Sequence, residues 1–302
     1  MRLVYFGTAS FAVPALRALA DHVILVVSQP DRPSGRGMRL HASPVKQAAI
    51  ELGLLCETPE RSRAPEFVEV LRRLEADVLV VAAYGQILSV DVLASAQRGG
   101  INLHGSILPA YRGAAPIQRC LINGDTETGV TLMQMDRGMD TGDVIDIVRT
   151  PIDPDETYGA LQDRLAPLAA RQAHDWMPGI VAGDYPRIPQ DSAVATMAPK
   201  LDRAEGQLRI SMDATEAYNR FRGVTPSPGA YIETDYGRLK ITSARRGEGQ
   251  GAPGTYLGGD ALAFSAGSLR LMEVQPEGRG RMSLGALANG LRLRPGDALV
   301  SS

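Results

Sequence analysis

Cysteine, histidine and aromatic residues are all scarce here. The 302 residues include two cysteines and four histidines, and Phe, Trp and Tyr together make up 5%. Cys56 and Cys120 lie far apart, and His22, His41, His104 and His174 show none of the short spacings that hold zinc, so neither a disulfide framework nor a structural metal is expected. No apolar run is long enough to span a bilayer. The opening MRLVYFG enters a strand without the layout of a signal peptide, which leads to a cytoplasmic expectation. Strong charge of either sign is also missing: a net charge of -2 excludes a uniformly cationic coat but leaves room for a local nucleic-acid patch. Finally, the turn after the first strand has no G-x-G-x-x-G, which argues against a nicotinamide or flavin dinucleotide.

What remains is an ordinary globular composition, 44% apolar and 22% charged, at a length that suggests about two domains. Leu3 to Phe6 reads as a short strand, and Gly7-Thr8 turns into a helix with Phe11, Ala15, Leu16 and Leu19 at helical spacing. Val23 to Val27 is the next strand, so the chain opens with a right-handed βαβ unit. Asp77 to Ala83 is almost continuously apolar, as a central parallel strand covered on both faces should be. The expected fold class is α/β, with a mostly parallel sheet.

Asn102-Leu103-His104-Gly105-Ser106 sets a neutral amide and an imidazole two residues apart where a strand ends. Strand alternation sends both side chains to one side, and open α/β sheets bind ligands beyond the carboxyl ends of their strands. The alternative is a buried polar pair satisfied by backbone. Thr128 to Met135 alternates as a strand, and Asp136-Arg137-Gly138-Met139-Asp140 turns the chain back into Val144 to Val148. From that turn Asp140 can reach His104 and orient its ring, or merely cap its own turn. Tyr84-Gly85-Gln86-Ile87-Leu88 follows the central strand, where exposed backbone groups suit a flat heterocycle.

The stretch from Gln29 to Ser43, QPDRPSGRGMRLHAS, is too rich in Pro, Gly and Arg to suggest a regular element. Arg32, Arg36 and Arg39, opposed only by Asp31, suit phosphate contacts; a solvated mobile loop is the other reading. Ser43 and Pro44 begin a helix that Gly53 ends. A helical segment from about Thr157 to Gly183 is interrupted by Pro167 and Pro178. Residues 186–203 then read as an interdomain linker carrying Lys200 and Arg203. Beyond it, a helix near Ala214 to Arg222 and five short strands between Gly229 and Val274 form a small all-β pattern. Arg238, Lys240, Arg245, Arg246, Arg279 and Arg281 form a candidate basic face.

Five segments, QPDRPSGRG, AAYGQIL, NLHGSILP, YRGAAPIQ and MDRGMDTGD, occur in this order and resemble the methionyl-tRNA formyltransferase family over about the first 200 residues. The resemblance implies a Rossmann-like formyltransferase domain over 1–185, a linker over 186–203 and an oligonucleotide-binding (OB-like) β-barrel contacting tRNA over 204–302. It implies 10-formyltetrahydrofolate as formyl donor and co-substrate, without a metal, and initiator methionyl-tRNA as partner, with neither DNA nor a membrane. It also implies catalytic roles for Asn102, His104 and Asp140. Folate contacts follow for Gln86, Ile87, Leu88, Ser106, Ile107, Leu108, Pro109 and Asp136, and acceptor-stem contacts for Arg32, Arg36 and Arg39. Lys200 and Arg203 of the linker complete the expected tRNA-binding set. In VTPSPGAYIE the chain lacks the tryptophans expected near that proline turn. Two other functions remain open at this point: a formyltransferase acting on an amino-sugar nucleotide or another small amine, and a non-catalytic RNA-binding protein on the same scaffold.

Overall fold

The computed structural model describes residues 1–34 and 39–301, with the backbone alone for Ser34 and Arg39. The chain forms two compact units. Unit 1 comprises residues 1–116, 127–151 and 162–199; unit 2 comprises 117–126, 152–161 and 200–302.

The elements in the first half of the chain are β1 (Leu3–Gly7), α1 (Val13–Leu19), β2 (Val23–Val27), β3 (Arg32–Ser34), β4 (Arg39–His41), α2 (Pro44–Glu51), β5 (Cys56–Glu57), α3 (Pro65–Arg73), β6 (Val78–Ala82), α4 (Val90–Leu93), β7 (Gly100–His104), α5 (Pro116–Asn123), β8 (Glu127–Gln134) and β9 (Val144–Pro151). Helix α6 (Tyr158–Ala182) follows. Seven strands form one sheet in the order β5-β2-β1-β6-β7-β8-β9. All pairs from β5 to β7 are parallel, and β8 runs antiparallel to both neighbours. The strand order reverses between β1 and β6, the switch point at which such sheets leave a crevice beyond their carboxyl ends. Thr8 Oγ1 and Gln29 Nε2 both donate to the Tyr84 carbonyl there, at 2.7 and 2.9 Å.

Fully buried runs in β1 and β6 account for their central place: LVYFG and VLVVA have no exposed residue. Val4, Phe6, Val27, Leu79 and Val81 pack with Phe67, Val68 and Leu71 of α3 and Val92 of α4. Burying each such side chain contributes about 1.5–3 kcal/mol. Tyr84, buried just past the end of β6, sits edge-on to Phe6 with ring centroids 5.2 Å apart.

Three local expectations are corrected within unit 1. The Arg-rich stretch carries a short hairpin, with Arg32 opposite His41 and Pro33 opposite Leu40, because backbone pairing needs no apolar pattern and an edge tolerates proline. Its base is closed by a Ser28–Ser43 hydroxyl contact of 2.6 Å and by Lys46 on both oxygens of Asp31 at 2.8 and 2.9 Å. Secondly, α6 continues through Pro167 and Pro178. Leu161, Leu165, Ala169, Ala173, Met177 and Ile180 form one buried stripe along it, and that packing outweighs the roughly 3 kcal/mol that an interior proline costs. Thirdly, 186–199 is not a free connection: Ile188 exchanges backbone hydrogen bonds with Val144, and Arg112 does so with Thr196 and Ala198. Of the expected linker, 186–199 belongs to unit 1 and 200–203 to unit 2.

Unit 2 contains α7 (Ala214–Val224), β10 (Ala230–Thr234), β11 (Gly237–Gly247), β12 (Tyr256–Gly258), β13 (Ala261–Ala263), β14 (Ser268–Pro276) and α8 (Leu284–Leu291), a helix not expected from the sequence pattern. The strands form an antiparallel sheet in the order β10-β11-β14-β13-β12. Tyr218, Phe221, Leu239, Ile241, Phe264 and Leu271 lie in its core. Two segments that the linear division assigns to the first domain join this unit through polar side chains. Arg119 grips Glu205 with two nitrogens at 2.6 and 3.0 Å, holding that carboxyl below its ordinary range. The Tyr218 hydroxyl donates to Asp155 at 2.5 Å.

Candidate active site

Strand β7 ends inside unit 1 with Asn102 and His104 on one side of the sheet, opposite Met133 and Thr131 of β8. The loop between β8 and β9 brings Asp140 to them. Asn102 Nδ2 donates to Asp140 Oδ1 at 3.2 Å, and the Gly113 N–H donates to Asp140 Oδ2 at 2.8 Å. His104 Nδ1 lies 3.7 Å from that same Oδ2, with the His104 side chain 5% and the Asp140 side chain 16% exposed. The three residues singled out as catalytic candidates thus meet at one carboxylate.

Two groups face the imidazole, the Tyr111 carbonyl at hydrogen-bond distance and the Asp140 carboxylate across from the other ring nitrogen. His104 Nε2 is 2.9 Å from the Tyr111 carbonyl oxygen, and a carbonyl only accepts, so Nε2 carries the hydrogen. Nδ1 is then the nitrogen left to take or release a proton. When it holds one, the charge faces the Asp140 carboxylate. Asn102 retains a second N–H on Nδ2, available to a negative oxygen.

Sequence reasoning missed the residues that brace this group. Tyr111 has φ +65° and Asp140 φ +54°, both in the left-handed region. Arg112, 6% exposed, places Nε and Nη2 on Gln190 Oε1 at 3.1 and 2.9 Å. Gln190 Nε2 donates to the carbonyls of Asp140 and Gly142 at 2.9 and 2.7 Å. Arg112 stands in the quoted YRGAAPIQ segment and could have been noticed as a cation beside a glycine; Gln190 lies in a proline-rich stretch with no distinguishing signal.

Several expected folate residues use their side chains to shape loops. Gln86 accepts from Ser62 N and Oγ at 3.1 and 3.2 Å and donates to the Glu60 carbonyl at 3.3 Å. Ser106 donates to the Ala110 carbonyl at 2.7 Å, while Asp136 accepts from Gly138 N at 2.9 Å and Thr141 Oγ1 at 2.7 Å. Leu88 is core, and Leu108 packs with Met133 and Val144. Ile87 is 77% exposed, and Ile107 and Pro109 are half-buried. Leu108, Pro109 and Gln190 also line a groove of about 370 Å³ together with Val144 and Ile147. Apolar side chains and loop backbone are thus what these segments present.

Of the expected RNA contacts, Arg32 is exposed and reaches Gln29 Oε1 at 3.4 Å. Arg36 lies outside the described residues, and Arg39 is placed by its backbone in β4. Lys200 and Arg203 are exposed in unit 2. Half of the candidate basic face there is paired with acids: Arg238 with Glu233, Arg281 with Glu273 and Arg245 with Asp155, while Arg246 lies over the Tyr218 ring.

A family model described as formyl transferase matches residues 1–180, and one described as its C-terminal domain matches 200–292. The chain belongs to the formyl transferase family. Relatives named methionyl-tRNA formyltransferase are 44% identical in Symbiobacterium thermophilum, with 96% of this chain and 92% of the relative covered, and 42% identical in Myxococcus xanthus, with 98% and 96% covered. The likeness to this formyl transferase subgroup therefore runs through the C-terminal part as well, despite the missing tryptophans. An N-formyltransferase structure from Helicobacter canadensis, in complex with folinic acid and dTDP-3-aminofucose, shares the fold with a TM-score of 0.65 at 17% identity, covering 89% of this chain and 98% of that one. Among the described residues, no helix of this family member is long and apolar enough to cross a membrane, and no group of three or more His, Cys, Asp or Glu side chains could hold a metal.

Proposed function

We propose that this enzyme transfers a formyl group from 10-formyltetrahydrofolate to the α-amino group of initiator methionyl-tRNA. The observation that carries this reading is the meeting of Asn102, His104 and Asp140 at the carboxyl end of β7, in a chain whose full-length relatives bear that name. The folate supplies an activated formyl carbon. The residues then have distinct tasks. Asn102 Nδ2 donates to the formyl oxygen as negative charge develops there, a contribution typically worth a factor of about 10² to 10³. His104, with Nε2 committed to Tyr111, moves a proton at Nδ1 between the attacking and departing nitrogens. Asp140 faces that nitrogen and also holds the Asn102 amide. An α-amino group titrates near 7.7 to 8.0, so a sufficient fraction is neutral at physiological pH to attack without a covalent enzyme intermediate.

The acceptor stem is read by Arg32, Arg36 and Arg39, with Lys200 and Arg203 adding phosphate contacts. Exposure of Arg32 and a hairpin stem rooted beside the switch point support this assignment. The exposed apolar side chain of Ile87 and the backbone of 136–140 support a folate ring between those loops. The test is formylation by purified protein with 10-formyltetrahydrofolate, offered either charged initiator tRNA or a dTDP-amino sugar. Arg36→Ala should lower kcat/KM for tRNA by roughly ten- to a hundredfold, the range for one charge-assisted contact, and leave folate affinity unchanged. Preference for the sugar, or full tRNA activity in Arg36→Ala, would replace this reading with the small-amine one.

A further inference from the structure

We propose that Gln190 is a positioning residue that fixes Asp140, and through it the Asn102 and His104 geometry, by a contact only an amide can make. The inference rests on the formyl-transfer reading for its kinetic consequence but on geometry alone for the contact. Gln190 stands between two kinds of partner. On one side, Arg112 presents Nε–H and Nη2–H to Oε1 at 3.1 and 2.9 Å; on the other, Nε2 meets the carbonyls of Asp140 and Gly142 at 2.9 and 2.7 Å. A guanidinium only donates and a carbonyl only accepts, so the amide has one possible orientation. No other common side chain of this size joins two donors to two acceptors.

The clamp bears on Asp140 because of the backbone it holds. Asp140 has φ +54°, a conformation that costs a non-glycine residue free energy and relaxes unless its surroundings resist. At the far end of the turn, Gly142 is pressed against β8: a Cβ there would lie 2.0 Å from the Gln134 carbonyl oxygen. At the near end, Gln190 is the side chain that grips the Asp140 carbonyl. Both partners of the clamp are themselves fixed. Ile188 exchanges hydrogen bonds with Val144 at 2.8 and 3.0 Å, and Arg112 N and O bond Thr196 and Ala198 at 2.9 and 2.7 Å. The same Arg112 lies between Tyr111, whose carbonyl meets His104, and Gly113, whose N–H meets Asp140. Residues 186–198 therefore set both sides of the site at once.

Gln190→Glu separates positioning from packing. It keeps the size of the side chain and strengthens the contact with Arg112, but it turns two donors into acceptors that face two carbonyls. The first readout is hydrogen exchange of the Gly113 amide, which reports the Asp140 carboxylate without reference to activity; exchange should speed up while the amides of β7 stay as slow as in the parent. In formylation assays kcat should fall roughly ten- to a hundredfold with KM for the folate donor little changed, the usual effect of loosening a support behind reacting groups. Combined with Asp140→Asn, Gln190→Glu should add no further loss, since its effect acts through that carboxylate. Unchanged Gly113 exchange overturns the inference, as does a loss that adds in full to that of Asp140→Asn. If Gln190→Glu does not fold, Arg112→Lys, which cannot fork onto Oε1, should produce the same changes in a weaker form, and its failure to do so is equally decisive. A parent that transfers no formyl group but whose Gly113 amide responds as described would refute the functional reading and leave the clamp standing.

Discussion

Replacing Asp140 by Asn perturbs the site at the atom pair where its three groups meet. The carboxylate accepts from Asn102 Nδ2 at 3.2 Å and from Gly113 N at 2.8 Å, and Oδ2 faces His104 Nδ1 at 3.7 Å. Asparagine has one oxygen to offer. Its amide nitrogen must confront either the Asn102 amide or the Gly113 N–H, and the charge facing His104 disappears in both cases. A hydrogen bond to a charged group contributes about 1.5–3 kcal/mol, so losing one such bond, together with a charge contact of similar size, removes about 3–6 kcal/mol. With the Asp140 side chain 16% exposed, solvent recovers little of this. If the arrangement is needed only as charge develops, kcat should fall by about 10² to 10⁴ at about 1.4 kcal/mol per tenfold. The assay is single-turnover formylation of methionyl-tRNA at saturating 10-formyltetrahydrofolate, with equilibrium folate binding measured alongside. Folate affinity should remain near the parent's, because the carboxylate is engaged by protein groups. Turnover within about fivefold of the parent would refute the reasoning, since no charge-assisted bond that matters in the transition state is worth so little.

Two further outcomes follow from the geometry. Gly113 has φ +122°, and a Cβ added there would lie 2.8 Å from the Ala198 carbonyl oxygen; Gly113→Ala should therefore cost about 1–3 kcal/mol, a Tm fall of roughly 2–12 °C. A variant with parental Tm in calorimetry would show that the backbone of 196–198 yields freely. In unit 2, burial first, and then the bond to Asp155, push the Tyr218 phenol up to about 12. The folded state thus keeps a proton that the unfolded chain releases near 10, so this contribution to stability is complete below pH 10 and is lost as pH rises toward 12. Denaturant titrations between those values should show a steeper decline with pH for the parent than for Tyr218→Phe. Equal slopes would mean that Tyr218 ionises like an exposed tyrosine.

Local pattern alone determined a good deal of this protein. The apolar runs at 3–6, 23–27 and 77–83 mark strands of a parallel sheet, because burial on both faces leaves no place for polar residues. The spacing of Asn102 and His104 puts them on one side of β7, because alternation is a property of the strand itself. Even the five strands of unit 2 were legible from short alternating segments bounded by turns. Tertiary structure decided the rest. That α6 runs through two prolines depends on a stripe of residues that only the folded chain buries. That His104 leans on the Tyr111 carbonyl, while Asp140 is shared by Asn102 and Gly113, depends on which loop atoms happen to meet, and residue types alone allow several pairings. Gln190 is the clearest case. Fifty residues separate it from the Asp140 carbonyl it holds, and nothing in its neighbourhood in the chain sets it apart, because a hydrogen-bond clamp is defined by the directions of donors and acceptors in space and leaves no periodicity in the sequence.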